Sequence, residues 1–252
     1  MQMTQICFPG SDHDYHAHAS YENDSLSQVT GGPLRPGGFE LTARLLALSE
    51  LQPGARILDV GCGTGATVNT LRASGRYHAF GVDRSELSLQ TGLTLFPSSP
   101  LVCGWGKSLP MRAGLMDVVL AECSLSAMSD LEDVLDEFQR MLCRGGRLAM
   151  SDVYARNPAG LPDLPGLPLS CGLRDAFTQA ELTTRLKSHG FEILVWEDHS
   201  ETLKYLAAQM ILFHGSMGEF CSKSEPAADP LDIQIAISKA KLGYFLLVAQ
   251  KV

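Results

Sequence analysis

Leu58-Asp59-Val60-Gly61-Cys62-Gly63-Thr64-Gly65 is the stretch on which the reading of this 252-residue chain turns. It closes a short apolar run beginning at Arg56 and opens a helical pattern over 66–73. A brief apolar run that ends in glycines predicts a buried strand. Three glycines at alternate positions remove side chains where the chain must turn, and let a ligand lie against bare backbone. Downstream, residues 77–82 predict a second strand with Asp83 at its carboxyl end. Ser85 caps a helix that runs to residue 95, and Pro97 and Pro100 close it. Strands are expected at 101–103 and 117–121, an amphipathic helix over 131–142, a turn at Gly145-Gly146 and a fifth strand over 147–153.

Residues 1–37 are polar and irregular, ending in GGPLRPGG, and are expected to form an arm or lid. The remainder, 38–252, reads as one domain that opens with a helix over 39–51. Prolines at 158, 162, 165 and 168 forbid regular structure in a substrate-side insertion near 155–177. Thr178 with Glu181 forms a capping box for a helix ending before Gly190. A sixth strand (191–196), two helical stretches (202–214 and 233–242) and a seventh strand (244–249) complete the chain. Alternating strands and helices predict an α/β fold, a mostly parallel sheet with helices on both faces and ligands at the strands' carboxyl ends. The seventh strand follows without a full crossover helix and is expected to pair antiparallel.

Lys plus Arg total 20 against 28 Asp plus Glu, a net charge of −8, which disfavours a nucleic-acid or anionic-membrane partner. Seven cysteines, an odd number with no CxxC pair, argue against a disulfide framework or zinc ribbon. No signal peptide and no apolar run of about 18–20 residues is present, so a cytoplasmic location is expected. His13, His16 and His18 with Asp12 and Asp14 form a loose metal-binding pattern that solvated side chains explain better. The helix over 202–214 has a broad apolar face suited to the core, an oligomer interface or an acceptor pocket.

GCGTGA also satisfies the dinucleotide pattern G-x-G-x-x-G/A, so an NAD-dependent oxidoreductase is an alternative. Against it stand the single glycine-rich βαβ half, a carboxylate inside the first strand, and no Tyr-xxx-Lys pair downstream. A non-catalytic cofactor-binding or partner-binding protein is a third reading.

Four segments in order, LDVGCGTG (58–65), GVD (81–83), KSLPMRAGLMDVVLAE (107–122) and LCRGGRLAMSD (142–152), resemble motifs of class I S-adenosylmethionine-dependent methyltransferases of the type 11 kind. The resemblance covers about residues 38–154. It implies a Rossmann-like seven-stranded sheet, S-adenosylmethionine as cofactor, and transfer of its methyl group to a small-molecule acceptor. It also implies that Gly61, Cys62, Gly63, Thr64 and Gly65 line the cofactor, while Asp59 orients the loop or the amino group. Asp83, followed by Arg84, would hold the ribose diol. Trp105, followed by Gly106, stands where relatives place an Asp for the adenine amino group. Glu122 and Cys123 would face the methyl group, and Glu122, Cys123, Asp152 and Tyr154 are the candidate bases. The surroundings of Cys171 are similar to arsenite methyltransferases, where a cysteine binds the metalloid; Cys62, Cys123 and Cys221 would be further soft ligands, or all are buried packing.

Overall fold

The computed structural model describes residues 35–160, 176–217, 219 and 229–252. The first half runs α1 (Gly38–Leu48), β1 (Arg56–Val60), α2 (Ala66–Ala73), β2 (His78–Asp83), α3 (Glu86–Leu95), β3 (Leu101–Cys103) and β4 (Met116–Glu122). A short 3-10 turn (Leu125–Ala127) leads to α4 (Leu131–Met141) and β5 (Leu142–Ala155). Then come α5 (Gln179–Ser188), β6 (Phe191–Asp198), α6 (Ser200–His214), α7 (Pro230–Ala240) and β7 (Leu242–Lys251).

The seven strands form one sheet in the order β3-β2-β1-β4-β5-β7-β6. β1 pairs parallel with β2 on one side and β4 on the other, while β7 pairs antiparallel with both β5 and β6. The fold is the expected Rossmann-like one. β1 sits at the centre, so the turn that follows it opens between the ends of β2 and β4, where such sheets place ligands.

Side-chain alternation divides the interior. Ile57, Val118, Leu120, Ala149, Leu246 and Val248 meet α1, α2 and α3 through Leu41, Leu45, Val68 and Leu89. Leu58, Val119, Ala121, Leu148, Met150 and Leu247 meet α4 and α5 through Val134, Leu135, Phe138 and Leu182. Asp59 and Glu122 keep the parity of the first face, and Asp152 and Tyr154 that of the second.

Several boundaries differ from expectation, most of all those of β5 and β7. The turn expected at Gly145-Gly146 is absorbed into β5, which starts at Leu142 beside Met116 and carries Gly145 at φ 76. Lys251 reaches across to the carbonyls of Gln139 (2.7 Å) and Leu142 (2.8 Å), holding this irregular start in place. β7 likewise extends to ten residues because it has a partner on each side. The arm at 1–34 and most of the proline-rich stretch (161–175) lie outside the described residues, as do the histidine tract, Cys171 and Cys221. Among the described residues no helix is long and apolar enough to cross a membrane.

On the α4–α5 surface, His189 holds Asp136 through Nδ1 (2.7 Å) and Glu132 through Nε2 (2.6 Å). Burial lowers its pKa, but the two carboxylates together outweigh that and leave it above the usual value. The imidazolium therefore stabilises the fold fully below about pH 6.5, the ordinary histidine value, and the contribution is lost as pH rises through the raised folded-state value. In urea titrations, wild type is expected to exceed His189→Gln by up to about 1 kcal/mol at low pH, the range for exposed ion pairs. The two curves should coincide in alkaline buffer.

Candidate functional site

β1 stops at Val60 because Gly61 turns the chain with φ 80. A Cβ at Gly61 would lie 2.4 Å from that of Ser124, so the position admits no side chain without displacing the segment after β4. Gly63, at φ 54, is different: nothing lies within 4 Å of where its Cβ would be. The first glycine is needed for packing and the second leaves open space over the loop. The Gly61 and Cys62 amides both donate to the Val82 carbonyl, at 2.8 and 3.2 Å, which ties the loop to the end of β2.

Asp83 completes that tie. Its Oδ2 accepts the Gly63 amide at 2.7 Å and its Oδ1 accepts the Ser85 amide at 2.8 Å. The carboxylate so held is part of the cavity wall. The cavity wall also includes Arg84, whose guanidinium lies 5.2 Å from the Trp105 ring centroid, and Lys107, which pairs with Asp130 at 2.6 Å.

On the β4 side the wall is formed by Glu122 and Arg35. Arg35 Nη2 lies 2.9 Å from Glu122 Oε2, and the same nitrogen donates to Thr42 (2.5 Å) on α1 and Thr67 (3.0 Å) on α2. Thr42 is also placed to donate to Glu122 Oε1 at 3.0 Å. Burial raises the Glu122 pKa, with Arg35 and then Thr42 opposing it. Asp59, 4% exposed, is pushed up to about 8 by burial and by the nearby charges of Glu122 and Asp83, which outweigh Arg35. Burial first, and then the gathering of carboxylates, thus favours the protonated form of Asp59.

Residues 58–150 match the methyltransferase domain family. The chain is 25% identical to the O-methyltransferase resE of Aspergillus sclerotiorum over 93% of this chain and 89% of that one. A crystal structure of the [4+2]-cyclase SpnF matches with a TM-score of 0.74 and 26% identity, covering 98% of both chains. The domain match and these similarities support a class I methyltransferase. Phosphoethanolamine N-methyltransferase 2 of Haemonchus contortus, solved with S-adenosylhomocysteine and phosphomonomethylethanolamine, shares the fold (TM-score 0.74, 15% identity, 97% of this chain and 61% of that one). Some other curated relatives are matched over about half of their length.

Set in this methyltransferase fold, the residues singled out in the sequence fall into two groups. Gly61, Cys62, Gly63, Thr64, Asp83, Arg84, Trp105, Gly106, Glu122 and Cys123 all line one cavity. Asp59 and Gly65 are beside it without forming its wall: Asp59 is buried, and Gly65 packs where a Cβ would meet Leu101 at 2.6 Å.

Asp152 and Tyr154 are placed elsewhere. Strand parity turns them to the α4–α5 face, away from Glu122. Asp152 accepts the Ser126 amide (2.9 Å) and hydroxyl (2.7 Å), fastening the turn after β4. Burial raises its pKa to about 6 against those hydrogen bonds. Tyr154 donates to Asp198 at 3.0 Å and packs edge-on against Trp196. Neither reaches the cavity as a base.

Cys123 does reach it, at φ 52 beyond the end of β4. Its sulfur is 3.2 Å from the Tyr244 hydroxyl, which itself donates to Ser151 at 3.0 Å. Burial, followed by the Asp152 charge, pushes its thiol pKa up, so it stands as a neutral thiol. Burial, then Asp59 and Asp83, does the same to Cys62. A metalloid would have to displace those protons.

Arg35, Thr67, Ser124 and Met128 are cavity residues that the linear reading did not single out. Arg35 had a signal, since it precedes the Pro36-Gly37-Gly38 entry to α1, but a lone arginine in a polar arm reads as a solvated charge.

Because the Asp59 pKa is raised on folding, its contribution is fully present below the ordinary carboxylate value and is lost as pH rises through about 8. Asp59→Asn is therefore expected to be more stable than wild type in alkaline buffer, by on the order of a few kcal/mol. The gap should close toward acid, and thermal melts across that range measure it.

Proposed function

We propose that the chain transfers a methyl group from S-adenosylmethionine to a small-molecule acceptor. The observation that carries this reading is Asp83, which ends β2, lines the cavity beside an open glycine and is fixed there by the Gly63 and Ser85 amides. A carboxylate after the second strand of such a sheet suits a ribose diol.

The residues fit that cofactor. Gly63 leaves bare backbone for it, and the Arg84–Trp105 pair offers a flat platform for an adenine ring. Asp83 and Glu122 favour a ligand carrying positive charge, and the same carboxylates would repel the pyrophosphate of a nicotinamide dinucleotide. When bound, the cofactor supplies an electrophilic methyl group on a sulfonium. The chain's part is positioning: Asp83 grips one end, the loop sets the depth, and Glu122 and Cys123 border the opening beyond β4.

A small-molecule acceptor is supported by the full-length similarity to an O-methyltransferase and by the net charge of −8. A cyclisation of a bound small molecule is the second reading. It is favoured by the similarity to a [4+2]-cyclase along the whole chain. It is also favoured by the state of the cavity's acid–base groups, with Glu122 ion-paired and Cys123 held as a thiol.

Calorimetric titration should give micromolar-range binding of S-adenosylmethionine, weakened at least about tenfold by Asp83→Ala, with NAD silent. Binding of NAD in place of the methyl donor would overturn the reading. Incubation with an acceptor panel then separates the two chemistries by mass: a gain of one methylene unit for methyl transfer, an isomer of unchanged mass for cyclisation.

A second, local check uses the chain's two tryptophans, Trp105 and Trp196. Trp196 is stacked on Phe245 at 4.4 Å, away from the cavity. S-adenosylhomocysteine is therefore expected to quench the fluorescence of wild type but not of Trp105→Phe. Equal quenching in both proteins would remove Trp105 from the binding site.

A further inference from the structure

The turn after β4 supplies Ser124, Ala127, Met128 and Ser129 to the cavity wall, yet it is a single 3-10 turn. Two backbone bonds close it, from the Ala127 amide to Ser124 (3.2 Å) and from the Met128 amide to Leu125 (3.1 Å). So short a turn leaves the amides of its first residues without partners inside it. Those residues are buried, Leu125 at 2% and Ser126 at 7% exposure, so the protein itself must satisfy them.

Asp152 does so from β5. Its carboxylate accepts the Ser126 amide at 2.9 Å, the Ser126 hydroxyl at 2.7 Å and the Val153 amide at 2.7 Å, and the Leu125 amide bears on it as well. A carboxylate at 1% exposure is unfavourable by itself, and this set of donors offsets its burial. The turn is thereby fastened to two strands, by Ser124 to the Val60 carbonyl of β1 and by Ser126 to Asp152.

What the fastening controls is Met128. A Cβ built on Gly61 would lie 3.6 Å from the Met128 methyl, and one on Gly106 would lie 2.8 Å from its sulfur. The thioether thus fills the gap between the loop after β1 and the loop after β3, with bare glycine backbone on both sides. Methionine is unbranched and adaptable, so its backbone must be fixed if the side chain is to define a wall.

We propose that Asp152 is a positioning residue for ligand binding, which acts from behind the sheet through Ser126 to set the place of Met128 between the β1 and β3 loops. It does not touch the ligand. The proposal takes its probe from the S-adenosylmethionine reading above, whereas the geometry it concerns belongs to the free protein. In Asp152→Asn an N–H would stand where an oxygen now accepts, so the turn must shift or lose a bond.

The test is a double-mutant cycle on the full chain, read by calorimetry with S-adenosylhomocysteine as probe. Asp152→Asn and Met128→Ala are each expected to weaken the probe about fivefold. The double variant should be no worse than Met128→Ala, because the carboxylate acts through that side chain. Ser126→Ala keeps the carboxylate and the amide bond and should lose about twofold. A second readout needs no ligand. With methionines labelled on the methyl carbon, the NMR signal of Met128 should move in Asp152→Asn while those of Met116 and Met141 in the core hold still. Additive losses in the cycle would assign Asp152 a purely structural role and overturn the proposal. So would an unmoved Met128 signal in Asp152→Asn, or in Ser126→Ala should the first variant not fold. A wild type that does not bind the probe overturns the cofactor reading, and the Met128 signal then decides this proposal by itself.

Discussion

The cavity depends on one steric constraint, the close approach of Gly61 to Ser124. At that contact β1 ends, and the Ser124 hydroxyl donates to the Val60 carbonyl at 2.8 Å. The neighbouring amides of Gly61 and Cys62 turn the other way, onto β2. The loop is therefore held from both flanks of the central strand. Asp83 and Glu122 inherit their positions from that arrangement, because each closes a strand that pairs with β1. A side chain at residue 61 would part the loop from the β4 end and spread the two carboxylates.

Electrostatics then sets what the cavity holds. Three carboxylates gather near a single buried guanidinium, in surroundings from which water is largely removed. Such a group of like charges is unfavourable by itself, and the protein relieves it by raising the pKa of Asp59 and Glu122 and by pairing Glu122 with Arg35. A ligand carrying positive charge would relieve it further. Nearby, Cys123 takes a left-handed backbone conformation uncommon for a residue with a side chain, held by its amide on the Ser151 carbonyl at 2.7 Å.

Local signals were strong where chemistry is local. The spans expected for β1, α2 and β3 coincide with those observed, because an apolar run bounded by glycines, or a helix opened by one, carries its own limits. The capping box at Thr178 is formed as its spacing implies, with Glu181 reaching back to the Thr178 amide. The glycine loop and Asp83 could be read for the same reason, since about twenty residues of one βαβ unit contain both. β5 was misjudged at its start because Gly145-Gly146 reads as a turn in isolation, and only pairing with β4 and the reach of Lys251 keep it extended.

By itself, then, the sequence determined the class of fold, the glycine turn, the carboxylate at the end of β2 and the place of Trp105, all of which rest on periodicity and short spacing. Tertiary structure decided which polar residues share a face. It set Asp152 and Tyr154 behind the sheet and Glu122 before it, a distinction of strand parity that needs the register of β4 against β5. It also brought Arg35 from the entry to α1 onto the end of β4, a long-range contact with no periodic trace in the chain. Burial couples the two, because an arginine and a glutamate attract strongly only once water has been taken from between them.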